Sequence, residues 1–190
     1  MHVPPLEFKL KEDVKPHAVY VPAAVPAHWH DKVRADIACD VALGVLEPVP
    51  PNMPLTWCHR MVICRKYNGD QQRTTNLQPL NSASIRQCHP TAPPLQQATT
   101  VPHKQKKSVL DCWNGYHSVS IREEDRHLTM FATPWGRYRY KTAPQWYNTS
   151  GDAYTHCYDM VVMGVKNMRR VIDDTLIYED NIKKAFFQVA

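Results

Sequence analysis

Three carboxylates set in apolar, strand-like runs are the residues of this chain best suited to chemistry. Asp111 closes Val109-Leu110-Asp111 and is followed by Gly115-Tyr116-His117. Asp173 and Asp174 interrupt the run Val171-Ile172-Asp173-Asp174-Thr175-Leu176-Ile177-Tyr178. An Asp at a strand end and an Asp pair at a hairpin tip can meet in space although they are far apart in the chain. Such a set suits two Mg²⁺ ions held for phosphoryl transfer, because Mg²⁺ takes hard carboxylate oxygens and completes its shell with water and substrate phosphate. Alone, a strand-end Asp and a polar hairpin tip are also ordinary structure, so the surrounding elements decide between the two. Cys58, His59, Cys64, Cys88 and His89 do not fit zinc, whose structural ligands come in pairs about two to four residues apart.

The elements that must position these carboxylates are legible in part. Residues 1–24 read as an extended lead-in. A helix opens near Pro26, with Val33, Ile37 and Val41 as its apolar stripe, joined by Ala38 and Leu43, and Gly44 ends it. Residues 45–48 form a short extended exit and 48–57 a Pro-rich loop. Residues 61–66 form a strand, Asn68-Gly69 a tight turn, and the return arm covers 74–77. Residues 82–105 are expected to be irregular. The basic run His103-Lys104-Gln105-Lys106-Lys107 leads into the Asp111 strand. Alternation over 117–121 predicts another strand with one buried face. Residues 122–126 make a charged turn, and 129–133 and 137–141 a hairpin about Pro134-Trp135-Gly136. Ser150 caps a helix over 151–163 with Ala153, Cys157, Met160 and Val161 on one face. Residues 168–178 form the hairpin carrying the Asp pair, and a helix starts near Asp180.

At 190 residues the chain is long enough for one cored domain. Its net charge of +5 permits a polyanion partner without demanding one. Sixteen prolines against six glycines, mostly before position 105, argue for extended segments in the first half. Six cysteines without CxxC spacing point to a reduced compartment. No secretory leader and no membrane-length apolar run is present, so an intracellular location, cytoplasmic or nuclear, is expected.

Taken in order, these segments resemble the reverse transcriptases of LTR retrotransposons, Gypsy-like elements among them, and of retroviruses. The resemblance covers about residues 15–190. The helix ending at Gly44, then Val45-Leu46-Glu47-Pro48 and Pro54-Leu55-Thr56-Trp57, is similar to the family's approach to its fingers. Residues 62–81, ending in Leu80-Asn81, resemble the fingers hairpin. Leu110-Asp111 with Gly115-Tyr116-His117 matches "LD…GYHQ", and residues 129–140 resemble "TAF.T..G.Y.Y". Ala143-Pro144-Gln145 stands at "PQG", and Ile172-Asp173-Asp174 at "Y-x-D-D".

That resemblance implies an α+β fold with the fingers and palm of a right-hand polymerase, the antiparallel palm sheet backed by helices, and no thumb. Residues 1–14 would be a lead-in, about 15–105 the fingers and about 106–190 the palm. The implied activity is RNA-directed DNA polymerisation, a nucleotidyl transfer from dNTPs to a primer 3′-OH with two Mg²⁺ ions. Asp111, Asp173 and Asp174 would be catalytic and would ligate the metal. Arg65, Lys66, Arg73, Tyr116 and Gln145 would bind the nucleotide, with Tyr116 excluding a ribose 2′-OH. Lys104, Lys106 and Lys107 would contact the template–primer backbone. Four positions depart from the family: Gln72 stands for Arg, Asn76 for Asp, Trp146 for Gly and Val171 for Tyr. With the missing thumb and RNase H segments and the abrupt C-terminus, they fit a truncated, degenerate copy. The alternative function is a catalytically impaired remnant that only binds nucleic acid.

Overall fold

The computed structural model describes residues 4–171 and 173–184. The chain enters as an extended segment pinned by backbone hydrogen bonds. Leu6 N donates to Ser120 O at 2.7 Å, and Phe8 N donates to the Asp125 carboxylate at 3.0 Å. Leu6 and Phe8 are buried, and Phe8 stacks on Tyr147 with ring centroids 4.3 Å apart.

Helix α1 (His30–Ala42) buries Val33 and Ile37. Ala38 and Leu43 are exposed, so the apolar stripe is narrower than the sequence suggests. Gly44 takes φ +73°, a left-handed stop that only glycine adopts without cost. Strand β1 (Leu46–Pro48) follows, then β2 (His59–Arg65) and β3 (Gln71–Asn76) around the Asn68-Gly69 turn. The return arm begins at Gln71, three residues before the expected Thr74. The region expected to be irregular holds α3 (Pro94–Thr99), and α2 (Gln78–Ala83) runs into its start. Both helices carry a proline in the first turn, where its missing N–H is not needed.

Strand β4 (Lys106–Asp111) leads to a 3₁₀ turn over Gly115–Ser118 instead of the expected strand. The alternation of residues 117–121 is real, since Val119 and Ile121 are buried, but these residues make only isolated bridges. Strands β5 (Phe131–Thr133) and β6 (Gly136–Tyr140) form the expected hairpin. Helix α4 (Ser150–Val161) is preceded by Thr149 at the N-cap, and its inner face is Ser150, Tyr154, Thr155 and Cys157. Val161 is exposed. Strands β7 (Met168–Val171) and β8 (Asp174–Glu179) close the fold. Ile172 and most of the helix expected after Asp180 lie outside the described residues.

Two sheets result. The larger runs β1-β6-β5-β2-β3, antiparallel except where β2 meets β5. The smaller is antiparallel, in the order β4-β8-β7. Helix α4 backs it through a Tyr158–Thr175 hydroxyl pair at 2.6 Å and an Arg170–Asp159 ion pair at 2.7 Å. From α3, Gln97 accepts a hydrogen bond from Arg170 N at 3.0 Å. The main core gathers Val33, Ile37, Leu46, Met61, Leu77, Leu80, Ile121 and Phe131. No helix among the described residues is long and apolar enough to cross a membrane.

Candidate active site

The small sheet brings the three carboxylates together. In the β4–β8 ladder Asp111 is the register partner of Asp174. Asp173 sits at the tip of the β7–β8 turn, and its carbonyl accepts a hydrogen bond from Cys112 N at 3.1 Å. That bond ties the residue after Asp111 to the residue before Asp174, so both acidic islands share one end of the sheet. Asp111 and Asp174 are exposed, whereas Asp173 is half-buried. The Asp173 carboxyl is held above the ordinary carboxylate range, first by burial and then by the negative charges of Asp111 and Asp174, with Arg170 opposing. Its Oδ1 is buried and has no hydrogen-bond partner. A buried carboxylate oxygen without a hydrogen-bond partner, beside two further carboxylates, is a place where a divalent cation would add to the countercharge of Arg170. Among the described residues no three His, Cys, Asp or Glu side chains already stand as a complete ligand set. The donors nevertheless fit Mg²⁺, which takes few protein oxygens and relies on water and phosphate for the rest.

The turn after Asp111 is built for close approach. Asn114 adopts φ +54°, and a Cβ on Gly115 would stand 2.8 Å from Cζ of Tyr154. Glycine therefore lets the turn lie flat on α4. Tyr116 follows, edge-on to Tyr154 with centroids 5.6 Å apart, and its hydroxyl is made less acidic by burial and by Asp173.

The expected nucleotide residues divide. Lys66, Arg73 and Gln145 line one polar cavity of about 370 Å³, together with Gln72, Asn114 and His117. Tyr116 and Gln145 line a second cavity of about 400 Å³, with Trp146 on its wall. Arg65 is exposed at the hairpin tip, its guanidinium close to Gly69. Arg73 points away from open solvent. It pairs with Asp40 of α1, keeps its side chain only 10% exposed, and leaves Nε and Nη1 buried without partners. Lys104, Lys106 and Lys107 are exposed, the last two on the free edge of β4 opposite Glu179 and Tyr178. At the usual strand rise they lie about 13–17 Å along the strand from Asp111.

Two features were not read from the sequence. Lys32, Asp36 and Asp40 form an i, i+4, i+8 stripe on α1 that meets Asp70, Gln71 and Arg73. The spacing is visible in the sequence, but its target is not. The second is Asn81, whose amide donates to Trp146 O at 2.8 Å and accepts from Asn148 N at 2.9 Å.

No protein-family model matches the chain. The enzymatic polyprotein of cauliflower mosaic virus (strain CM-1841) is 24% identical over 126 residues, which is 66% of this chain and 19% of the polyprotein. Among solved structures, the foamy viral protease–reverse transcriptase with an RNA/DNA hybrid superposes with a TM-score of 0.82 at 14% identity, covering 98% of this chain and 25% of that one. The same enzyme with double-stranded DNA gives 0.83 at 14% identity over 99% of this chain and 38% of that one.

The chain shares its fold with part of the foamy viral protease–reverse transcriptase. The mixed α+β architecture expected from the sequence is therefore found, and the chain spans a minor part of each viral relative. Within this fold, Asp111, Asp173 and Asp174 gather at one end of the small sheet.

Proposed function

We propose that this chain is the fingers and palm of an RNA-directed DNA polymerase from an LTR retroelement, and that it adds dNTPs to a primer 3′-OH. Residues of about 15–105 would supply the fingers and about 106–190 the palm, with 1–14 as a lead-in. The observation that carries the reading is the Asp111–Asp174 register pair with the unpartnered Asp173 oxygen beside it.

In this reading Asp111, Asp173 and Asp174 hold two Mg²⁺ ions. Bound there, the metal supplies Lewis acidity that favours the primer alkoxide and neutralises charge on the triphosphate. The chain's own residues do the rest. Tyr116, wedged against Tyr154, presents a ring edge that a ribose 2′-OH would meet, favouring deoxynucleotides. Gln145 lies on the walls of both cavities and can hydrogen-bond the incoming nucleotide. Lys66 and Arg65 offer exposed cations to the triphosphate, and Arg73 joins them only by leaving Asp40. Lys104, Lys106 and Lys107 give a salt-sensitive grip on the nucleic-acid backbone, with RNA or DNA as template.

One observation favours the second reading, a remnant that binds nucleic acid without polymerising. With Gln72 at the family's Arg position and the largely buried Arg73 guanidinium paired to Asp40, neither position offers an exposed arginine fork to a triphosphate, and a neutral amide does not replace it. Primer extension on an RNA template with dNTPs and Mg²⁺, beside Asp173→Asn, separates the two. Extension that the substitution abolishes supports the polymerase. No extension with salt-sensitive duplex binding retained overturns it in favour of the remnant.

A further inference from the structure

Trp146 holds a conformation that bulky residues avoid. Its φ is +72°, and its indole is 67% exposed, so burial in the core does not compensate. The backbone is held from both sides. Asn81 donates to the Trp146 carbonyl and accepts from Asn148 N, which staples the residues around the indole to α2. The ring forms a wall of two cavities of about 400 Å³ each. One contains Tyr116 and Gln145; the other contains Asn76, Gln78 and Asn81. Neither is lined by a charged side chain. A backbone fixed against its preference, presenting a flat apolar ring to solvent, is the kind of local strain found at ligand sites.

We infer that Trp146 is a stacking platform for an unpaired nucleobase, the first template base beyond the primer–template duplex. This rests on the nucleic-acid reading above. Every base has a π-face, so stacking needs no sequence match. The uncharged, amide-bearing walls suit a base and its edge atoms, not a phosphate, which would call for cations. The site adjoins the polar cavity lined by Lys66, Arg73 and Asn114, because Gln145 lies on the walls of both, and Tyr116 on its own wall belongs to the turn that follows Asp111. A residue that departs from the family's glycine thus becomes a holder of the template strand.

The test uses the full chain and a fluorescein-labelled primer–template duplex with a 5′ template overhang. A second duplex carries an abasic site at the first unpaired template position, with the same backbone charge. Anisotropy should show the wild type binding the intact overhang about tenfold more tightly than the abasic one, as expected for one stacked base. Trp146→Ala should bind both equally, at the wild-type abasic level, and Trp146→Phe should keep part of the preference. Wild-type indifference to the missing base, or an undiminished preference in Trp146→Ala, overturns the platform while leaving the polymerase reading to primer extension. Failure of the wild type to bind either duplex overturns both. Base-dependent binding without extension keeps the platform and rejects catalysis.

Discussion

Arg73 on β3 pairs with Asp40 on α1, and the contact buries the guanidinium of a strand that also lines the polar cavity of Lys66 and Gln145. It is the innermost of three contacts between α1 and the β2–β3 hairpin. Asp36 accepts from Gln71, and Lys32 pairs with Asp70 at 3.0 Å. Loss of Asp40 would strand a buried charge, whereas Lys32 and Asp70 are each about half exposed. Because Asp40 keeps partial access to water, Asp40→Ala is expected to cost about 2 kcal/mol, below the figure for a fully buried pair. Lys32→Ala should cost under about 1 kcal/mol. Urea midpoints at unchanged slope measure both, and equal effects would contradict the account.

Gly115 permits the close seating of the Asp111 turn on α4. In Gly115→Ala the new methyl would meet Cζ and Cε2 of Tyr154 at 2.8 and 2.9 Å, and the displacement would reach Tyr116 through the ring pair. A loss of about 1–3 kcal/mol is expected, the range for overpacking. Tyr154→Phe should not restore stability in that background, because ring carbons make the closest contacts. Recovery in the double variant would show that the hydroxyl, not the ring, is the obstacle.

His59 sets an acid limit on stability. It is fully buried, one ring nitrogen donates to Leu128 O at 2.9 Å, and the other has no partner. Burial lowers its pKa from 6.5 to about 4, with the Leu128 hydrogen bond opposing. Between those values the unfolded chain takes up a proton that the folded chain refuses, so stability falls as pH falls through this window. The loss reaches about 3 kcal/mol at its lower end. His59→Gln should flatten that part of the urea-midpoint profile between pH 6.5 and 4.5; parallel profiles for the two proteins would contradict it.

Trp146→Gly should exceed Trp146→Ala in stability by about 1 kcal/mol, because only glycine takes φ +72° freely and neither substitution buries new surface. Thermal unfolding of the two variants measures the difference. An alanine variant as stable as the glycine one would mean that residue 146 does not need the left-handed conformation.

The meeting of the acidic islands was legible because each interrupts or ends a strand-like apolar run, and the β4–β8 register places Asp111 opposite Asp174. The hairpins at Asn68-Gly69 and Pro134-Trp135-Gly136 were legible for the same local reason, that turn chemistry is short-range. What failed was non-local. Residues 117–121 alternate, yet the stretch starts in a 3₁₀ turn, and Val119 and Ile121 are buried beside isolated bridges to Leu6 and Thr142. Helix α3 carries no buried residue and is fixed by Gln97 on Arg170, a partner far along the chain. The orientation of Arg73 was likewise hidden, since it depends on where α1 lies and not on its neighbours in sequence.

The central claim is that Asp111, Asp173 and Asp174 act as one divalent-cation site. Titration of the wild type with Mn²⁺, followed by the loss of its free-ion paramagnetic signal, tests this most directly when repeated for Asp111→Asn and Asp173→Asn. Saturable binding is expected that Mg²⁺ displaces and that either substitution weakens at least tenfold, about 1.4 kcal/mol. Equal Mn²⁺ affinity in all three proteins would show that the carboxylates do not share a metal, and would contradict the polymerase reading at its base.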